Sequence, residues 1–160
     1  MPIRTPGTVR AFLAALWILA CAPAPAWAQH KPADSIPAAD LIQPADFAAM
    51  LGQSKTPKPL ILQVGFRKAY AQAHIPDAEY LGAAGDEDDL RSLKKRVAKL
   101  PADGAIVIYC GCCPWIRCPN IAAAYDALRD LGLKNVKVLY LADDFGTDWV
   151  DKGYPTTKGS

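Results

Sequence analysis

No stretch of this 160-residue sequence pairs carboxylates for acid–base work, cradles a phosphate in a glycine-rich loop, or sets out a Ser-His-Asp arrangement. Glycosidase, nucleotide-binding and serine-hydrolase chemistry therefore have no sequence support. Histidine is scarce: of two, only His74 lies well inside the chain, and its "HIP" setting reads as a turn. An excess of one charge is also lacking. Arg4 and Arg10 are the only charged residues among the first 28; without them, 18 basic residues become 16, against 16 acidic ones. No basic stretch alternates with aromatics, so nucleic acid is not an expected partner. Internal repeats are absent, and a mature chain of about 130 residues suits one domain with one core.

What is present begins with an export signal over residues 1–28. Arg4 and Arg10 give it a positive start, "AFLAALWILACA" is an apolar run too short to span a bilayer comfortably, and "PAPAWA" ends in the small-x-small pattern of Ala26 and Ala28. Cleavage is expected before Gln29, which makes the mature protein exported and periplasmic, with no stable membrane insertion. The alternatives are an uncleaved membrane anchor and lipidation at Cys21, where "ILAC" loosely matches a lipobox. Residues 29–38, rich in Pro and Ala, are expected to form a loose leader.

The remaining chain alternates short apolar runs with helical patterns. "PADFAAML" opens a helix at Pro44, with Phe47, Met50 and Leu51 on one face and Gly52 at its end. "SKTPKP" is a turn or loop, "LILQV" (60–64) a buried strand, "RKAYAQA" a short helix, "HIPDA" a turn and "EYL" a brief strand. "DEDDLRSLKKRVAKL" is a helix with acids in its first turn and an apolar stripe of Leu90, Leu93, Val97 and Leu100. "AIVIY" is a second buried strand. A helix over "PNIAAAYDALRDLG" turns Ile121, Tyr125, Leu128 and Leu131 inward and stops at Gly132; "VKVLYL" is another strand, and "DWVDKGYP" a last helix that Asp143 or Asp144 could cap. This alternation predicts an α/β single domain with a mainly parallel central sheet flanked by helices.

Between strand and helix sits "CGCCPWIRC". Its four cysteines, Cys110, Cys112, Cys113 and Cys118, are all that remain once Cys21 leaves with the signal. An oxidising compartment favours disulfides, yet bridges inside so small a loop would stabilise the fold little, so the clustering reads as chemical rather than architectural. Ligands of open parallel sheets bind beyond the carboxyl ends of strands, where Cys110 lies. The next helix N-terminus and Arg117 would favour a thiolate and an anionic substrate, and Gly111 lets the backbone come close. Three chemistries stay open: a nucleophile, a thiol–disulfide redox pair, for which "CGCC" is formally Cys-x-x-Cys, and a soft-metal or partner site. Metal is not the expected one, because adjacent Cys112 and Cys113 would have to point at one ion. Pro114 and Trp115 stiffen and cover the loop, or Trp115 lines a substrate entrance.

Over roughly residues 38–156 the chain resembles the rhodanese-like (sulfurtransferase) domain family. "QVGFRKAYAQAHIPDA" places Val64, Tyr70, His74, Ile75, Pro76 and Ala78 at the family's spacing; "AIVIYC", "GLKNV" and Trp149, Gly153, Tyr154 and Pro155 follow in the family's order. The resemblance implies a rhodanese-like domain over 39–157. It also implies that Cys110 attacks the outer sulfur of an anionic donor such as thiosulfate and becomes a persulfide, stabilised by the loop's backbone amides. A thiol or other nucleophilic acceptor then takes the sulfur. No cofactor is required, and the "HIP" turn is structural. The departures lie around the site. Gln63-Val64-Gly65 stands where the family has "DVR", Ala73 and Asp77 replace glycines, and "ADDFG" replaces a glycine pair. The active-site loop is longer than the family's, so counting back from the helix reaches Trp115 and counting from the strand reaches Cys110. Insertions belong in loops, which favours Cys110. Cys112, Cys113 or Cys118 could resolve a modified Cys110 through a disulfide.

Overall fold

The structure, a computed structural model, describes Met1 and residues 33–53 and 58–159. The export-signal reading, Cys21 and most of the "SKTPKP" turn lie outside those residues.

Five strands form one sheet: β1 (Leu41–Ile42), β2 (Leu60–Gln63), β3 (Glu79–Tyr80), β4 (Ile106–Tyr109) and β5 (Val136–Leu139), in the order β1-β5-β4-β2-β3. Every pairing is parallel, with Gln63 opposite Tyr109 at the carboxyl edge of the central pair. The helices are α1 (Pro44–Leu51), α2 (Arg67–Gln72), α3 (Glu87–Val97) and α4 (Pro119–Asp130). β1 is too short for two residues to show any periodicity, and the sequence gives no sign of it. β2 and β5 each end a little earlier than their apolar runs.

Strand alternation divides the core into two layers. Leu62, Ile106, Ile108, Val136 and Val138 pack with Leu93 and Val97 of α3 and Ile121, Ala124 and Leu128 of α4. On the other face Ile61, Val107, Tyr109 and Leu139 pack with Phe47, Tyr70, Phe145 and Trp149. β4, in the middle, is buried on both faces, which is why its sequence is uniformly apolar.

Helix ends follow from local chemistry. Asp86 caps α3, its carboxylate accepting from the backbone N–H groups of Asp88 and Asp89 at 2.9 and 3.3 Å. α3 stops at Val97, before Leu100. At the end of α4, Gly132 takes φ +81° and donates to the Arg129 carbonyl, while Leu133 donates to that of Leu128. This Schellman closure swings Leu133 into the core. Leu131, expected inward, is consequently 46 % exposed, because Leu133 occupies the apolar slot. The last helix is a single π-helical turn, Gly146–Val150, starting earlier than expected; its first N–H groups are met by Asp144, whose carboxylate accepts from Thr147 at 2.8 Å.

The leader expected over 29–38 is not loose from residue 33 onward. Ala33 and Ile36 are buried against the α4 layer, through short 3-10 turns at Ala33–Ser35 and Ala38–Asp40. Asp77 adopts φ +65°, a left-handed conformation at the place where the resemblance has glycine; its short polar side chain tolerates it. No helix among the described residues is long and apolar enough to cross a membrane.

Candidate active site

Strand geometry sets the direction of Cys110. Ile106 and Ile108 face α3 and α4, so Cys110, two residues further, faces them too and is 2 % exposed. Gly111 then turns the chain with φ +69°, and its carbonyl accepts from the Phe145 N–H at 3.1 Å. That reversal folds the next residues back over the strand end.

The consequence is a cluster of sulfurs. Cys110 Sγ lies 2.9 Å from Cys112 Sγ, and Cys112 Sγ lies 3.7 Å from Cys113 Sγ. The three sulfurs all fall within 4.8 Å of one another. Adjacent Cys112 and Cys113 thus do converge, contrary to the expectation from their adjacency. The left-handed turn at Gly111, φ +69°, brings both back toward Cys110. All four thiols are free. The Cys110–Cys112 hydrogen bond dominates their ionisation. It pushes Cys110 up, with Cys113, Cys118 and burial adding to the rise, and holds Cys112 well below the ordinary thiol range. Cys113 is lowered, chiefly by its hydrogen bond with Cys110. For Cys118, the lowering by Cys110 is outweighed by Cys112 and by burial, and its thiol is pushed up to about 12. Of the four thiols, Cys112 and Cys113 are thus shifted toward the thiolate and Cys110 and Cys118 away from it.

Three residues to which the sequence reading gave no role at the site hold this arrangement. Gln63 is buried at the end of β2; its amide donates to the Cys110 carbonyl at 3.1 Å and accepts from the Gly65 N–H at 3.2 Å. Gly65 lies so close that a Cβ would stand 2.9 Å from Cys110 Sγ, so a side chain there would collide with the sulfur. Asn120, at the start of α4 and 2 % exposed, accepts from the Gly85 N–H at 2.9 Å. Its oxygen being so engaged, its NH2 faces the sulfurs, donating to Cys110 at 3.3 Å and to Cys112 at 3.6 Å. One clue was visible for each polar residue: a glutamine in an otherwise apolar strand, and an asparagine on the inward face of an amphipathic helix.

Beside the cluster opens a cavity of about 510 Å³ lined by Phe66, Lys68, Gln72, Gly111, Cys112 and Phe145, among others. Cys112, half-buried, forms part of its wall; Cys110 does not. Trp115 is placed elsewhere: buried beneath the loop, its ring against Tyr140 at 4.9 Å, it lines a small void with Cys110, Cys113 and Cys118. Arg117 is exposed on the outside of the same 3-10 turn, and the polar contacts to the sulfurs come from the other thiols and Asn120. Among the described residues one cation, Lys68, and one carboxylate, Asp144, border the cavity.

His74 serves the turn. Its ring stacks on Tyr70 with centroids 3.8 Å apart, Nδ1 meets the Tyr70 carbonyl at 2.9 Å, and its backbone exchanges hydrogen bonds with Thr157. Ile75 donates to the Tyr109 hydroxyl at 3.1 Å, tying the turn to the end of β4.

Chemically, the arrangement offers a buried strand-end thiol in contact with a second thiol at a cavity wall, with amide donors and one nearby ammonium. Comparison with known proteins agrees with this architecture. The sequence profile of the Rhodanese-like domain matches residues 43–141. The Alr3790 protein from Anabaena sp. superposes with a TM-score of 0.56 at 21% identity, over 74% of this chain and 92% of that one. A rhodanese-like domain protein from Staphylococcus aureus gives 0.51 at 15% identity, over 76% and 99%. A thiosulfate sulfurtransferase from Pseudomonas aeruginosa gives 0.52 at 28% identity, over 75% of this chain and 19% of that longer one. No curated protein is similar enough to count as a match. With the profile spanning more than half of the sequence and the parallel sheet placing a cysteine at the end of its central strand, the chain belongs to the rhodanese-like domain family.

Proposed function

We propose that this protein is a sulfurtransferase that moves sulfane sulfur through a persulfide on Cys110. The observation that carries the reading is the position of Cys110, a thiol at the carboxyl end of the central strand of a rhodanese-like sheet, 2.9 Å from the thiol that borders the cavity. The likeness to a thiosulfate sulfurtransferase supports it.

In the first step the Cys110 proton passes to Cys112. The Cys110 sulfur then bonds to the outer sulfur of a donor such as thiosulfate, the donor's S–S bond breaks, and sulfite leaves with its electron pair. In the second step a thiol or other nucleophile bonds to that outer sulfur and Cys110 leaves as thiolate, so the enzyme returns unchanged. Lys68 offers the entering anion a counter-charge, set against the Asp144 carboxylate in the same lining. Asn120 and Gln63 act as positioning residues, the first through the sulfurs and the second through the Cys110 carbonyl.

Intact-mass measurement tests the reading directly. After reduction and incubation with thiosulfate, the protein is expected to gain about 32 Da per chain, one sulfur atom, released again by a reducing thiol. Fragment masses should place the gain on the peptide bearing Cys110. A gain that survives Cys110→Ser unchanged, or no gain at all, overturns it.

The same reading places the protein outside the cytoplasm, on the strength of Arg4, Arg10 and the apolar run ending at Ala26 and Ala28. N-terminal sequencing of protein recovered from its native cell is expected to begin at Gln29. A chain that still begins at Met1 would refute export with cleavage.

A further inference from the structure

We propose that Cys110, Cys112 and Cys113 form a three-sulfur site for one thiophilic closed-shell metal ion of the copper(I) type. A disulfide needs two thiols aimed at each other; here three converge on one point, within 4.8 Å of one another. A metal–sulfur bond of about 2.3 Å places the sulfurs of a three- or four-coordinate site about 3.8–4.0 Å apart. Cys112 and Cys113, at 3.7 Å, already meet that spacing. Cys110 and Cys112, at 2.9 Å, must open by about 1 Å to reach it. The small void bordered by Cys110, Cys113 and Cys118 gives the Cys110 sulfur room to do so.

The chemistry of the donors selects the ion. Thiolates favour soft ions and offer little to magnesium, calcium or manganese. Among the described residues no histidine or carboxylate joins the three sulfurs, so no hard donor competes with them for the ion. Copper(I) is content with three sulfur ligands, whereas a structural zinc site closes with four. Cys118 contacts the same sulfurs but falls outside the group of three. Around the site the Asn120 amide, fixed through Gly85, donates to two of the three sulfurs and offsets their negative charge. On binding, whatever S–H protons the three cysteines still carry go to solvent and three metal–sulfur bonds form; nothing is oxidised or reduced. This site does not depend on the sulfur-transfer reading, although the two compete for Cys110.

Anaerobic titration of the reduced, metal-free protein with copper(I), against a coloured copper(I) chelator, tests the proposal. One equivalent is expected to be withheld from the chelator. Cys112→Ser and Cys113→Ser should each weaken retention at least about tenfold, Asn120→Ala about tenfold, and Cys118→Ser less than threefold. X-ray absorption on the copper-loaded wild type needs no variant to fold, and should count three sulfurs at about 2.3 Å. No withheld equivalent, two or four sulfurs, or retention indifferent to Cys112→Ser and Cys113→Ser would overturn it, as would preference for zinc lost in Cys118→Ser. Persulfide formation without copper binding refutes this site alone, and copper binding without persulfide formation refutes only the transfer reading.

Discussion

Cys110→Ser is expected to lower thiosulfate-dependent sulfur transfer by roughly a thousandfold or more, with the fold intact. Serine is nearly isosteric with cysteine, keeps a hydrogen-bonding group near Cys112 and Asn120, and cannot form a persulfide. The comparison with Cys112→Ser gives the experiment its power. Cys112 borders the cavity and takes the Cys110 proton, so its loss should cost about a hundredfold, the range of a single proton-transfer partner. Cys113→Ser and Cys118→Ser, further from the cavity, should retain most of the rate. Steady-state rates with thiosulfate and a nucleophilic acceptor, alongside circular dichroism of each variant, separate chemistry from folding. If Cys110→Ser works at the wild-type rate while Cys112→Ser is dead, the nucleophile is the cavity-facing thiol and the assignment by strand position is wrong.

That the choice falls between neighbours two residues apart reflects what a one-dimensional pattern carries. The strand, its buried faces and the cysteine at its end were legible, since each depends on contiguous residues and a period of two. The parallel sheet was legible for the same reason: apolar runs alternating with helices admit few other arrangements. The arrangement of the sulfurs was not. Cys112 and Cys113 meet Cys110 because of a single backbone angle at Gly111, and that angle is stabilised by Phe145, 34 positions away. Gln63 was legible only as a departure from the family's pattern and Asn120 not as a site residue at all, because each partners Cys110 through the fold, over separations of 47 and 10 residues. The same limit explains Leu131. Periodicity counted it inward, whereas the reversal at Gly132 hands its place to Leu133. Trp115 and Arg117 were placed at the site through proximity to the cysteines in sequence; the 3-10 turn sends one under the loop and the other to solvent.

Gly111→Ala is expected to destabilise the protein by about 2–5 kcal/mol, and a paired control shows why the effect is large. Two costs combine. A left-handed alanine costs about 1–2 kcal/mol at φ +69°. The added Cβ would lie 2.6 Å from Phe145 Cβ and 3.2 Å from its backbone nitrogen, and forcing an extra methyl into such packing costs about 1–3 kcal/mol more. Gly132, at φ +81°, shares the first cost but has nothing within 4 Å of where its Cβ would sit. Gly132→Ala should therefore lose only about 1–2 kcal/mol, and the excess at Gly111 isolates the contact with Phe145. Urea unfolding with an unchanged m-value measures both, and equal losses at the two positions would refute the packing argument. Against a total stability of about 5–15 kcal/mol the larger loss is serious. Relief by shifting Phe145 would break its hydrogen bond to the Gly111 carbonyl and disturb its stack on Trp149, whose ring centroid lies 6.0 Å away. The turn that gathers the sulfurs is thus braced by the core behind it, and Gly111→Ala should lose sulfur transfer even in the fraction that stays folded.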